Sequence, residues 1–260
     1  MYSRLANKSV LITGASAGIG YYTAMAFAEH GSNLILLARR LERLEELKKE
    51  INSLYPSVDV KVYKVDVSSH EDIKQAFKTI LKESPVIDIL INNAGLGVGA
   101  DPVTSLAEED MQIMFDTNVK GLVWVTQQVF PSMSERNSGH IINVGSIAGI
   151  QINTFGGCFY GATKHAVHAL TEALRIQTVA TDIRVSEVCP GLTETEFALV
   201  RSRGDKELEG NLLKGLTPLT GQDVAEIIAF TASTHPRCVL SQAVVLPSCQ
   251  ANTFIAHRKD

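Results

Sequence analysis

Of 260 residues only four are cysteine (Cys158, Cys189, Cys238 and Cys249), and no two form a C-x-x-C pair. That spacing excludes a zinc ribbon or a dithiol redox pair and leaves free thiols. No apolar run reaches the roughly 18 residues that span a bilayer. The segment Met1–Asn7 also lacks the apolar stretch of a secretory signal, so a cytoplasmic protein without membrane association is expected. Charge of one sign is scarce: the net charge is −4, and Lys and Arg are not gathered into the patch that nucleic acid requires. The densest charge, from Arg39 to Glu50, mixes signs and beyond Arg40 reads as a solvated helix face. His165 and His168 stand three apart with no Cys or carboxylate at ligand spacing, so no metal is expected. Linkers and internal repeats are absent as well, which predicts one domain over 1–260.

What the chain does have is a regular alternation of β-branched apolar runs and amphipathic stretches. Strands are predicted at Ser9–Thr13, Asn33–Ala38, Val60–Val65, Ile87–Asn92, His140–Val144, Ile183–Val188 and Val239–Leu246. Helices are predicted at Gly18–His30, Leu41–Leu54, Glu71–Lys82, Ala107–Arg136, Phe159–Thr181 and Gly221–Ser233. Continuously apolar strands such as Leu34–Leu37 are buried on both faces. Strand–helix alternation with right-handed crossovers then gives an α/β fold: a doubly wound, Rossmann-type parallel sheet of about seven strands, with helices on both faces. The stretch 190–218 breaks the rhythm. Its length and its place after the sixth strand make it a candidate substrate lid.

The first strand runs into Thr13-Gly-Ala-Ser-Ala-Gly-Ile-Gly20 and then directly into a helix. Glycines Gly14, Gly18 and Gly20 allow close backbone approach, and Ser16, Ala17 and Ile19 complete a turn that can seat a pyrophosphate on the helix N-terminus. The spacing is G-x-x-x-G-x-G, which resembles the phosphate loop of the short-chain dehydrogenase/reductase family. Further segments agree in order: Asn92-Asn-Ala-Gly95, Asn118, Ser146, Tyr160-Gly-Ala-Thr-Lys164, and Pro190-Gly-Leu-Thr-Glu-Thr195. The resemblance covers essentially the whole chain. It implies that Asp66 and Val67 meet the adenine, that Asn93, Ala94 and Gly95 shape the ribose path, and that Pro190, Gly191, Thr193 and Thr195 also line the cofactor.

The second strand ends Leu37-Ala38-Arg39-Arg40, without the acid that would hydrogen-bond a ribose 2′-hydroxyl. Two guanidiniums, with Ser16 as a further donor, suit a 2′-phosphate instead, and NADP(H) is the expected cofactor. Tyr160 and Lys164 are four apart on a predicted helix and share a face. An ammonium about 5 Å from the phenol, at an effective dielectric near 20, favours phenolate by roughly 3 kcal/mol. That places the Tyr160 pKa near ~7.5, suited to acid–base work. The family resemblance implies that Tyr160 exchanges the proton with the substrate oxygen and that Ser146 hydrogen-bonds that oxygen. It further implies that Lys164 holds the nicotinamide ribose and that Asn118 keeps a water linking Lys164 to solvent. Gly145-Ser146 lacks the second glycine of a hydrolase elbow.

The expected substrate is a small carbonyl or alcohol. Several stretches resemble the fungal and bacterial NADP-dependent 3-hydroxy acid (serine-type) dehydrogenase branch: Asp101-Pro102, Met114–Val119, Arg136–Asn143, Gly191–Phe197 and Val200-Arg-x-Arg-Gly-Asp205. After Ser146, however, the chain carries Ile150, Ile152 and Phe155 where that branch has a charged or bulky stretch. This favours a general ketone or aldehyde reductase, with a 3-hydroxy acid dehydrogenase as the alternative. A non-catalytic NADP sensor would be expected to lack Tyr160 or Lys164. Apolar residues on several faces of the helices 107–136 and 159–181 (Val123, Val125, Val129; Val167, Leu170, Leu174), with the family resemblance, imply a homotetramer or homodimer.

Overall fold

The architecture follows from a computed structural model, which describes residues 2–152 and 157–259. Six strands run in parallel through the first three quarters of the chain: β1 (Ser9–Thr13), β2 (Asn33–Ala38), β3 (Val60–Lys64), β4 (Ile89–Asn92), β5 (Gly139–Val144) and β6 (Ile183–Pro190). Two short strands, β7 (Thr193–Glu194) and β8 (Leu219–Thr220), pair with each other outside the main sheet, and β9 (Gln242–Val245) closes it. The order of the seven-stranded sheet is β3-β2-β1-β4-β5-β6-β9, parallel throughout. The chain winds outward from β1 to β3 and then crosses back to β4. The carboxyl ends of β1 and β4 therefore flank a crevice at the topological switch point.

Strand alternation feeds two cores. Val10, Ile12, Leu34 and Leu36 meet Leu44, Leu47 and Ile51 of α2 (Leu41–Leu54), with α1 (Gly18–Glu29) and α9 (Gly221–Ser233) on the same face. Leu11, Ile35 and Leu37 meet Ile73, Phe77 and Ile80 of α3 (His70–Glu83) on the other face. Each such side chain, removed from water, contributes about 1.5–3 kcal/mol. Local chemistry sets the helix starts: Ser69 accepts the Asp72 N–H, and Thr220 with Asp223 forms a capping box.

The predicted single helix over 107–136 is three pieces: α4 (Glu108–Phe115), a π-helical turn (Asp116–Gly121) and α5 (Leu122–Glu135). The widened turn is fixed by tertiary contacts. Asn118 is drawn onto the loop after β4, and Gly121 lies so close to β3's continuation that a Cβ there would sit 2.5 Å from the Val67 carbonyl oxygen. Helix α6 (Cys158–Gln177) follows β5, and the segment 190–218 carries α7 (Phe197–Arg201) and α8 (Lys206–Leu213). Pairing of β7 with β8 brings the two ends of that segment together, so it is a closed excursion anchored at its base.

Candidate active site

The switch point opens into a cleft of about 700 Å³. At its floor, Thr13 Oγ1 accepts the N–H groups of Asn93 and Ala94, both at 3.0 Å. Asn93 Nδ2 returns hydrogen bonds to the carbonyls of Thr13 (2.9 Å) and Gly14 (3.2 Å). The ends of β1 and β4 are thus laced together. A Cβ on Gly20 would stand 2.3 Å from the Gly14 carbonyl oxygen, so only glycine permits the loop to fold this tightly onto α1. The N-cap of α1, Ala17, offers no side-chain hydrogen bond, which leaves first-turn N–H groups with the chemistry to hold a pyrophosphate.

All cofactor residues named from the sequence line this cleft except Gly20, which lies behind the loop it shapes. Arg39 and Arg40 stand at the tip of β2, with Asp66 and Val67 beyond β3. Arg40 turns Nε and Nη2 toward Ser16 Oγ (3.4 and 3.2 Å). Its Nη1 donates to Glu196 Oε2 at 2.8 Å, and Arg43 Nη1 donates to Glu196 Oε1. Pro190, Gly191, Thr193 and Thr195 line the cleft at the start of the segment 190–218, with Thr195 against Gly18 of the phosphate loop. The donor set (loop N–H groups, two guanidiniums and a serine hydroxyl) fits a phosphorylated dinucleotide.

The catalytic candidates come together at the middle of the cleft. Ser146, just past β5, accepts the Ala148 N–H at 3.1 Å and is hydrogen-bonded to the Tyr160 hydroxyl from the first turn of α6. Lys164, one turn on and buried, donates from Nζ to the Val144 carbonyl at 2.8 Å, and its Nζ is 5.9 Å from the centre of the Tyr160 ring. Asn118 stands behind the cleft wall. Its Oδ1 accepts the Leu96 N–H (2.8 Å), and its Nδ2 donates to the Leu96 carbonyl (2.8 Å) and to Thr163 Oγ1 (3.0 Å). The Asn118 amide thereby clamps the loop after β4 to α6.

The expected acidic tyrosine is corrected by this geometry. Burial pushes the Tyr160 hydroxyl above its ordinary value of 10, outweighing the Ser146 hydrogen bond and the positive charge of Arg201 that pull it down. Burial likewise pushes Lys164 down, to about 8. A Coulomb estimate taken from the spacing alone omits the desolvation that both groups suffer.

Three residues of the cleft were not singled out from the sequence. Phe197 packs edge-on to Tyr160 with ring centroids 5.2 Å apart. Glu196 meets Arg40, as above. Arg201, largely buried, lies against Gly157 at the start of α6, where a Cβ would come within 2.3 Å of its Nη2, and its charge acts on Tyr160. The V-R-x-R-G-D stretch carries that signal in the sequence, far along the chain from Ser146. Ile150 and Ile152, on which an apolar substrate was argued, are exposed and outside the cleft lining, and Phe155 lies outside the described residues. His165 bonds the Gly161 carbonyl (2.9 Å) and His168 bonds Glu187 (2.7 Å). Among the described residues no three ligating side chains converge.

Comparison with known proteins agrees with this architecture. The short chain dehydrogenase family matches residues 8–205. An NADP-dependent 3-hydroxy acid dehydrogenase of Schizosaccharomyces pombe is 44% identical over 258 residues, 99% of each chain. Sulfoacetaldehyde reductase 2 of Chromohalobacter salexigens is 38% identical over 252 residues, 96% of this chain and 98% of that one. Among solved structures, the closed form of serine dehydrogenase complexed with NADP+ superposes with a TM-score of 0.89 at 36% identity, covering 97% of this chain and 100% of that one. The chain is a member of the short-chain dehydrogenase family.

Proposed function

We propose that this enzyme acts on 3-hydroxy acids, oxidising the hydroxyl to a ketone and reducing the corresponding 3-oxo acids, with Arg201 holding the substrate carboxylate. As a family member it is an oxidoreductase that moves a hydride between NADP(H) and a CH–OH or C=O group. Bound NADP+ supplies the hydride acceptor. The residues do the rest: Ser146 orients the substrate oxygen, Tyr160 takes its proton in oxidation and returns it in reduction, and Lys164 supports the pair from beneath. Asn118 is a positioning residue that keeps Leu96 and Thr163 in register. The observation that carries the substrate class is the Arg201 guanidinium in the same cleft, packed against Gly157 at the start of α6 and near enough for its charge to act on Tyr160. A planar fork in a partly desolvated recess is the chemistry that selects a carboxylate. Two relatives named for anionic substrates, a 3-hydroxy acid and sulfoacetaldehyde, support the same reading.

Arg201→Leu should raise KM for a 3-hydroxy acid by about 10- to 100-fold, the scale of a charge-assisted hydrogen bond, and leave KM for its methyl ester nearly unchanged. Because Arg201 also lowers the Tyr160 pKa, the limb on which oxidation rises with pH should move to higher pH in the same variant. Tyr160→Phe should cost a factor of about 10² or more in turnover with the far-UV spectrum intact. Equal losses on acid and ester would reject the carboxylate contact.

A homodimer or homotetramer is part of this proposal. Val125, Val129 and Val167 prove to be core, but Val123 and Leu170 stay partly exposed and Ile176 is exposed at the end of α6. Light scattering reads that state directly. A cytoplasmic location is part of the same proposal; among the described residues no helix is long and apolar enough to cross a membrane.

A further inference from the structure

Glu196 is a carboxylate from the lid lodged among the arginines of the cofactor end. It precedes α7, lines the same cleft as Ser16, Arg39 and Arg40, and is gripped by two guanidiniums, Arg40 at 2.8 Å and Arg43. Two anionic oxygens on two forks reproduce the contacts a phosphate monoester makes with the same side chains. We propose that Glu196 is an internal competitor for the 2′-phosphate of NADP(H): it pins the lid to Arg40, and only a cofactor carrying that phosphate wins the guanidinium back.

The charge on Glu196 is present at neutral pH. Burial works to raise its carboxyl, but the hydrogen bonds from Arg43 and Arg40 outweigh this and hold it below its ordinary value. Arg40 meanwhile offers its Nε and Nη2 only long contacts to Ser16, so the fork is shared between the lid and the phosphate loop. NAD(H) has a neutral hydroxyl at that position and no charge with which to displace a carboxylate. The contact also leads to the chemistry, because the next residue is Phe197, whose ring packs on Tyr160 and fills the space over Gly97. Releasing Glu196 frees the residue that covers the catalytic tyrosine. Cofactor discrimination is therefore coupled to the lid, and by linkage a pinned lid weakens phosphate binding to the same extent that phosphate binding loosens the lid.

The test uses 2′,5′-ADP and 5′-AMP, which differ by the phosphate in question, with the full chain. By calorimetry, Glu196→Gln should bind 2′,5′-ADP about three- to tenfold more tightly than the unmodified protein, the scale of one or two partly exposed ion pairs, and 5′-AMP with unchanged affinity. In the unmodified protein, 2′,5′-ADP should speed tryptic cleavage within the lid, at Arg201 or Arg203, whereas 5′-AMP should not. In Glu196→Gln that difference should disappear. Unchanged or weaker binding of 2′,5′-ADP by Glu196→Gln overturns the proposal, as does lid cleavage that responds equally to both nucleotides.

Discussion

Within one cleft, the phosphate loop is held by backbone pressed on backbone, whereas the segment 190–218, the candidate lid, is held by ion pairs between partly exposed side chains. Gly14 and Gly20 leave no room for a Cβ, and Asn93 makes three hydrogen bonds to Thr13 and Gly14, to which the Ala94 N–H adds a fourth on Thr13 Oγ1. The lid is fastened by Glu196 to Arg40 and Arg43, and by Arg203 to Asp101 and Asp110, with the Gly99 N–H reaching the Arg201 carbonyl at 3.0 Å. Partly exposed ion pairs are worth about 0–1 kcal/mol each, while a buried backbone contact has no alternative partner. The difference separates two tasks. A cofactor site must be preorganised, so its precision is stored where nothing can shift. The candidate lid is instead fastened by contacts that water, salt or a competing anion can replace.

Substitutions on the two sides should sharpen that contrast. The largest effect is expected for Gly20→Ala. The added methyl meets the Gly14 carbonyl oxygen, a backbone atom that cannot swing away. Chemical denaturation should show a loss of about 1–3 kcal/mol, as overpacking does, and NADPH fluorescence titration should show cofactor binding largely abolished. A variant with undiminished NADPH affinity would mean that the loop is softer than its packing implies. The smaller effect is expected on the lid. Arg203→Ala removes the pairs with Asp101 and Asp110 yet should cost less than about 1 kcal/mol of global stability. Its signature should be kinetic: a few-fold rise in substrate KM, and faster hydrogen exchange confined to residues 195–205. Global destabilisation equal to that of Gly20→Ala would dissolve the distinction between the two walls.

The parts legible in the sequence are those written in local pattern. β1, β2 and α2 begin and end at the residues their apolar periodicity predicts, because Leu34–Leu37 is apolar on both faces and Leu44, Leu47 and Ile51 recur on one helical face. The glycine spacing of the phosphate loop, the two arginines at the tip of β2 and the four-residue step from Tyr160 to Lys164 are likewise local facts. Their chemistry follows from backbone geometry and side-chain type alone.

What only the tertiary structure decided depends on partners far away in the chain. The π-helical turn at Asp116–Gly121 exists because Asn118 reaches Leu96 and Thr163, contacts that no helical periodicity encodes. The high pKa of Tyr160 arises from burial, which spacing on a helix face does not report. Arg201 acts on Tyr160, and Glu196 reaches Arg40, because β7 and β8 close the base of the segment 190–218, which lines the cleft. The sequence determined the elements and the reaction chemistry through local pattern. The ionisation of the tyrosine and the placement of Arg201 and Glu196 in the cleft were decided by desolvation and long-range packing, which exist only once the chain has folded.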